Sequence, residues 1–183
     1  KGKMSCISCH SMHQSGSDKR AAKEWANDQL QPAKMGDQGC LQCHETKDYR
    51  STEHTHHPLN SSGSTCYNCH MPHTAYALLK AVRNHTIDSP MVDVSDKAGR
   101  PNACNLCHLD QTLEWTSKHL AKWYDLPMPQ FTDEQREVAT GPLWTLKGDA
   151  GLRALMAWHI GWQPARDAAI TDWSAPYLAV LID

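Results

Sequence analysis

Three observations predict a mainly α-helical fold with long loops and little or no β-structure. The first is a shortage of core-forming residues: Leu, Ile, Val and Phe number 27 of 183, about 15%, below what an ordinary globular core needs. The second is a five-residue pattern, Cys-x-x-Cys-His, that occurs four times and uses every cysteine. The third is a shift in composition after residue 110, where fifteen of those 27 residues and six of the seven Trp are found and helix-period patterns begin. Disorder does not explain the first observation. Disordered chains carry high net charge and few aromatics, whereas here 18 Lys+Arg face 20 Asp+Glu, with seven Trp and five Tyr.

The repeated pattern reads Cys6-Ile-Ser-Cys9-His10, Cys40-Leu-Gln-Cys43-His44, Cys66-Tyr-Asn-Cys69-His70 and Cys104-Asn-Leu-Cys107-His108. This is the attachment signature of c-type haem. Two thiols add to the two vinyl groups, and the next residue brings its imidazole to the iron. The eight cysteines are therefore the expected thioether residues and His10, His44, His70 and His108 the expected proximal ligands of four haem c groups. Zinc fits poorly, because paired CxxC units in zinc sites stand roughly 15 to 20 residues apart, and the gaps here are 30, 22 and 34. Zinc also gives no reason for a histidine after every second cysteine, and neither does a disulfide framework. A thioredoxin-like motif occurs once, in a βαβ setting, and no such alternation is visible.

Bis-His ligation of four irons needs four of the eight other histidines. The preferred distal ligands, in order, are His85, His57, His13, His54 and His73; His56, His119 and His159 are read as ordinary hydrogen-bonded or surface residues. His13 and His73 each follow their own motif histidine by three residues, too near to cross the same ring, so each would serve a neighbouring haem. His54 and His57, three apart, are expected on one side of a helical turn. A His/Met alternative would raise the potential. Met71, beside His70, is too close to its own motif for that role.

Residues 1–110 hold ten of the twelve His but only twelve of the Leu/Ile/Val/Phe set. Haem macrocycles supply the missing apolar bodies there. The expectation is a short helix at each motif, loops over 61–64 and 95–101, and a helix over 75–84. Beyond 110, Leu113, Leu120 and Tyr124 mark a helix over 111–124, stopped by Pro127 and Pro129. Thr132-Asp-Glu-Gln135 is a capping box opening the next. Leu152, Leu155, Met156 and His159 mark a third, broken at Gly161 and Pro164, and 164–172 and 174–182 read as two more. These α-hairpins are of the kind that stack into helical repeats. The predicted division is a tetrahaem domain over 1–125 and a helical segment over 126–183. The apolar run 179–182 reads as a chain end that is either a cut or docks on a partner.

No segment has the roughly 18 apolar residues of a membrane span, and Lys1-Gly2-Lys3 is not followed by a signal-peptide core. Covalent haem attachment is extracytoplasmic in bacteria and archaea, so the expected location is the periplasm or cell exterior. Eight propionates would take the formal charge from −2 toward about −10. That favours basic patches on partner proteins and disfavours nucleic acid.

Cys66-Tyr-Asn-Cys-His-Met-Pro-His73, followed by Arg83-Asn-His85-Thr-Ile-Asp-Ser-Pro90, resembles multihaem cytochromes related to the cytochrome c nitrite reductase and octahaem families. The resemblance implies that His70 is proximal and that His85, after a short helix, is distal to a different haem. Gly99-Arg-Pro-Asn-Ala-Cys104 through His108, running on to Trp115 and Trp123-Tyr124, looks like the last motif of cytochromes that continue into HEAT-like repeats, and Gly148 to Leu155 is similar to such a repeat. Nitrite reductases place their catalytic haem on a motif ending in Lys, and no CxxCK occurs here. The leading expectation is therefore electron transfer through a relay of low-spin haems, with redox proteins or further copies of the chain as partners. In its sharper form, subunits join end to end in a filament. The alternative is a nitrite, hydroxylamine or sulfur-compound reductase with one open iron.

Overall fold

The computed structural model describes residues 4–45, 48–169 and 174–179. By packing the chain divides into Lys1–Cys66 and Tyr67–Asp183. The compositional boundary at 125/126 falls inside the second unit.

The first unit is built from short pieces. They are a 3-10 turn at Cys6–Ser8, α1 (Ala22–Asp28), a 3-10 turn at Pro32–Lys34, α2 (Gln38–Leu41), α3 (Thr52–Thr55) and a 3-10 turn at Ser62–Ser64, where a plain loop was expected. None of its described hydrophobic side chains is buried, and Ser64 is its only buried residue among those described. Polar contacts hold it instead. The backbones of Cys9–Ser11 and Gln29–Gln31 pair through Ser11 N–H to Gln29 O (2.8 Å) and Gln31 N–H to Cys9 O (2.9 Å). Arg20 spans Asp18 and Asp28, and Gln31 Nε2 donates to Ile7 O and His10 O.

The second unit begins within α4 (Cys66–His70), whose first residue belongs to the first unit. An antiparallel hairpin follows, β1 (His73–Tyr76) and β2 (Lys80–Arg83), with His73 opposite Arg83 and Tyr76 opposite Lys80. This overturns the helix expected over 75–84. The physical reason is tertiary: α9 (Ala150–Gly161) packs across the hairpin, so close that a Cβ on Gly151 would stand 3.1 Å from the Ala75 Cβ. Likewise α5 (Val92–Lys97) occupies part of the expected 95–101 loop, anchored by buried Val92 and Ser95.

A 3-10 turn at Cys104–Leu106 leads to α6 (Leu113–Tyr124), where Thr112 Oγ1 accepts the Trp115 N–H and Asp125, in the left-handed region, ends the helix. Then come α7 (Asp133–Glu137), opened by the Thr132/Gln135 capping box, and α8 (Thr140–Lys147), which carries Pro142 in its first turn, where no amide hydrogen is needed. After α9, capped by Asp149, α10 is Gln163–Ala168 and α11 is Ala175–Ala179. The remainder of the expected 164–172 and 174–182 helices, and of the 179–182 apolar run, lies outside the described residues. Leu106, Leu109, Leu155, Met156, Ile160 and Ala165 form one core, with Trp144 and Trp162 against it; Val92, Leu113 and Leu120 form a second. Sheet is confined to the one hairpin among the described residues, as a mainly α fold requires.

Candidate haem centres

In the first unit the first two motifs are stitched together. Gln42, inside the second motif, donates from Nε2 to Gly39 O, Ser8 O and Cys9 Sγ, at 2.6, 3.2 and 3.7 Å. Motif two in turn reaches motif three, because Cys40 and Cys66 share a side-chain hydrogen bond that holds the Cys40 thiol down and pushes Cys66 up. Asp37 Oδ1 accepts the Cys66 backbone N–H at 3.0 Å.

His10, a proximal candidate, donates Nδ1–H to Asp28 O at 2.8 Å. His44 meets Tyr49 edge-on, and Tyr49 meets His54 likewise, with centroids 5.6 and 5.1 Å apart, so one tyrosine separates a proximal from a distal candidate. His54 and His57 do not share a helical face. His56 adopts φ 53°, in the left-handed region, which ends α3 and carries His57 out of it. His57 donates Nδ1–H to Thr55 O at 2.6 Å, and its ring lies so close to Gly63 that a Cβ there would fall 2.2 Å from it. Burial and the neighbouring His57 keep His56 below the ordinary imidazole range. His13 is exposed.

In the second unit His70 and Asp88 are tied reciprocally: Nδ1–H of His70 donates to Asp88 O (2.9 Å) and the Asp88 N–H to His70 O (3.0 Å). Arg83 returns from the hairpin to the same helix, with Nη1 on Tyr67 O (3.1 Å) and Met71 O (3.3 Å) and Nη2 on Asn68 Oδ1 (2.6 Å). Motif four is clamped by two buried asparagines. Asn102 accepts the Cys104 N–H and donates to Pro90 O; Asn105 donates to Gln111 O and accepts from Thr116. Burial pushes Cys104 and Cys107 up to about 12, and the charge of nearby Cys69 adds to both. Motifs three and four are thus neighbours. His108 adjoins a stripe along α6 of Trp115, His119 and Trp123.

His85 is exposed and donates Nδ1–H to Arg83 O at 2.9 Å. His73 lies buried on β1. Its Nδ1 is 3.2 Å from His159 Nε2, and His159 Nδ1–H donates to Leu155 O at 2.9 Å, with Trp158 and Trp162 edge-on to the His73 ring. With one ring nitrogen of His159 committed as a donor to a carbonyl, its Nε2 accepts from His73. The His73 lone pair is then on Nε2. His159 is hydrogen-bonded as expected, but fully buried and not at the surface. Its partner is 86 residues away, beyond any periodicity signal.

These residues fit covalent haem. In His10, His57, His70, His85 and His119 the Nδ1–H donates to a backbone carbonyl, the arrangement that fixes the tautomer and puts the lone pair on Nε2, the nitrogen that would coordinate. None of the eight cysteines is bonded to another, and among the described residues no three His, Cys, Asp or Glu side chains gather around a single point as a zinc site requires. Bound haem would supply one-electron chemistry at its iron; the motif cysteines would hold the macrocycle and the histidine that follows them would face its iron. No described helix is long and apolar enough to cross a membrane. A family model described as Cytochrome c552 matches residues 49–141, which include the third and fourth motifs. No curated protein and no solved structure matches the chain.

Proposed function

Because the chain belongs to the cytochrome c552 family, a c-type cytochrome family with covalently bound haem, we propose that it is an exported electron-transfer protein whose four haems form a relay. Residues 1–125 would hold the haems and 126–183 the supporting helices. The observation that carries this reading is the contact between successive motifs: Gln42 bonds to Cys9, Cys40 to Cys66, and Cys69 acts on Cys104 and Cys107. Attachment points so spaced would bring neighbouring macrocycles together within each unit. The distal imidazoles are drawn from His85, His57, His13, His54 and His73. Since His13 and His85 are exposed, a ligand passed between copies of the chain would join subunits into a filament. Redox proteins with basic faces are the other partners.

The test is low-temperature EPR and resonance Raman of the oxidised protein, with haem counted as the pyridine haemochrome. Four haems, all low-spin, is the expected result. A stoichiometric high-spin haem would shift the reading to a reductase with an open iron, and fewer than four covalent haems would overturn the relay.

A further inference from the structure

The buried His73–His159 pair joins β1 to α9, and its hydrogen bonds run one way. Leu155 O accepts from His159 Nδ1–H (2.9 Å), and His159 Nε2 accepts from His73 Nδ1–H (3.2 Å). Both nitrogens of His159 are thereby used. His73 Nε2 is left as a lone pair with no hydrogen-bond partner among the described residues. Burying two imidazoles costs desolvation that apolar side chains would not incur, and the neighbours of His159 on α9, Leu155, Met156 and Ile160, are apolar core residues. What the pair contributes is orientation. Trp158, His159 and Trp162 surround the His73 ring at centroid distances of 4.8 to 5.1 Å and hold it in one placement, while His159 holds it in one tautomer.

A neutral imidazole whose Nδ1–H is held by an acceptor and whose Nε2 is free is the form in which histidine binds a metal. The surroundings suit a haem. His73 keeps 8% of its surface open, and Trp158 beside it is 44% exposed, an apolar face that a macrocycle could cover. Leu106, inside motif four, packs in one core with Leu155, Met156 and Ile160, and Ala75 and Ala81 of the hairpin rest against that core. Resting on the proposed relay, we propose that His73 is an axial ligand to a haem iron of the second unit and that His159 is the positioning residue that presents it. Haem ligation then does not end at residue 125. Helix α9, in the helical segment, sets the tautomer of a ligand that follows the third motif, so this segment takes part in a haem site and is more than its support.

The test is EPR, resonance Raman and potentiometric titration of the full chain and of His73→Ala, His159→Leu and His159→Gln, each checked for haem content. In H73A one haem in four should turn high-spin and return to low-spin when imidazole is added. In H159L all four should stay low-spin, but one component should rise at least threefold in its one-electron reduction equilibrium, because an imidazole that loses its hydrogen-bond acceptor is a less basic ligand. H159Q, whose Oε1 can accept the same proton, should move that component less. A pair that only packs the core would give no such split between Leu and Gln. Should H73A fail to hold four haems, the comparison of H159L with H159Q decides. Four low-spin haems in H73A, or equal potentials in H159L and H159Q, would overturn the inference. A wild-type haem count below four would instead overturn the relay on which it rests.

Discussion

The two units of the chain are held together by different means. Residues 4–66 bury no hydrophobic side chain among those described and are tied by Arg20, Gln31 and Gln42. Residues 67–169 hold two apolar cores and the buried clamps Asn102 and Asn105 around one motif. Hydrogen bonds exposed to water contribute little net stability, so under the proposed four-haem reading the first unit would take its apolar body from covalent haem, whereas the second has one of its own. On that reading the same five-residue motif would be used in two ways, as the seed of a structure and as an attachment to a structure already present.

The sharpest way to break this contrast is to withhold haem. In chain produced without haem attachment, amides of 4–66 should exchange roughly 100-fold faster than those of α9, read by hydrogen exchange and mass spectrometry; equal protection would show that the first unit folds unaided. Next in size is Leu155→Ala, in the fully buried core. It should cost about 2–5 kcal/mol in urea unfolding of the second unit while leaving exchange in 4–66 unchanged.

Acid should act on the same unit. Burial holds His73 down to about 3 and His159 down to about 4, against 6.5 ordinarily. The unfolded chain takes up these protons first, so stability is complete above about pH 7. It should decline as pH falls from about 6.5 toward 4, by up to ~1.4 kcal/mol per pH unit for each histidine. Urea midpoints followed by Trp fluorescence between pH 7.5 and 4.5 would show the slope, and a flat profile would mean that the pair accepts charge. The smallest effect expected is Thr112→Ala, which removes the α6 cap at a cost of ~1 kcal/mol and tests whether the second unit unfolds as one.

What the sequence discloses follows the same division. The spacing of the CxxCH pattern can be read directly, and with it eight candidate thioether cysteines and four candidate proximal histidines. Local signals place the Thr132 cap and the α6 and α9 stripes. The hairpin is hidden, because Ala75, Leu78, Leu79 and Ala81 suit a helix; α9 packed against Ala75 and Ala81 selects the strands, and Leu78 and Leu79 lie exposed in the turn between them. Helix α8 is hidden behind Gly141 and Pro142, which look like breakers but sit in a first turn. The His73–His159 pair carries no sequence signal, since neither residue marks the other across that separation.

The Cys40–Cys66 contact bears on how the protein is matured. Each thiol belongs to a different motif, and before either is capped the two are within reach of one another. In an oxidising compartment they form a kinetic trap: one mispaired disulfide would disable two attachment sites at once. If both motifs take haem, maturation of this chain then needs a reductant that keeps the pair open until attachment is complete.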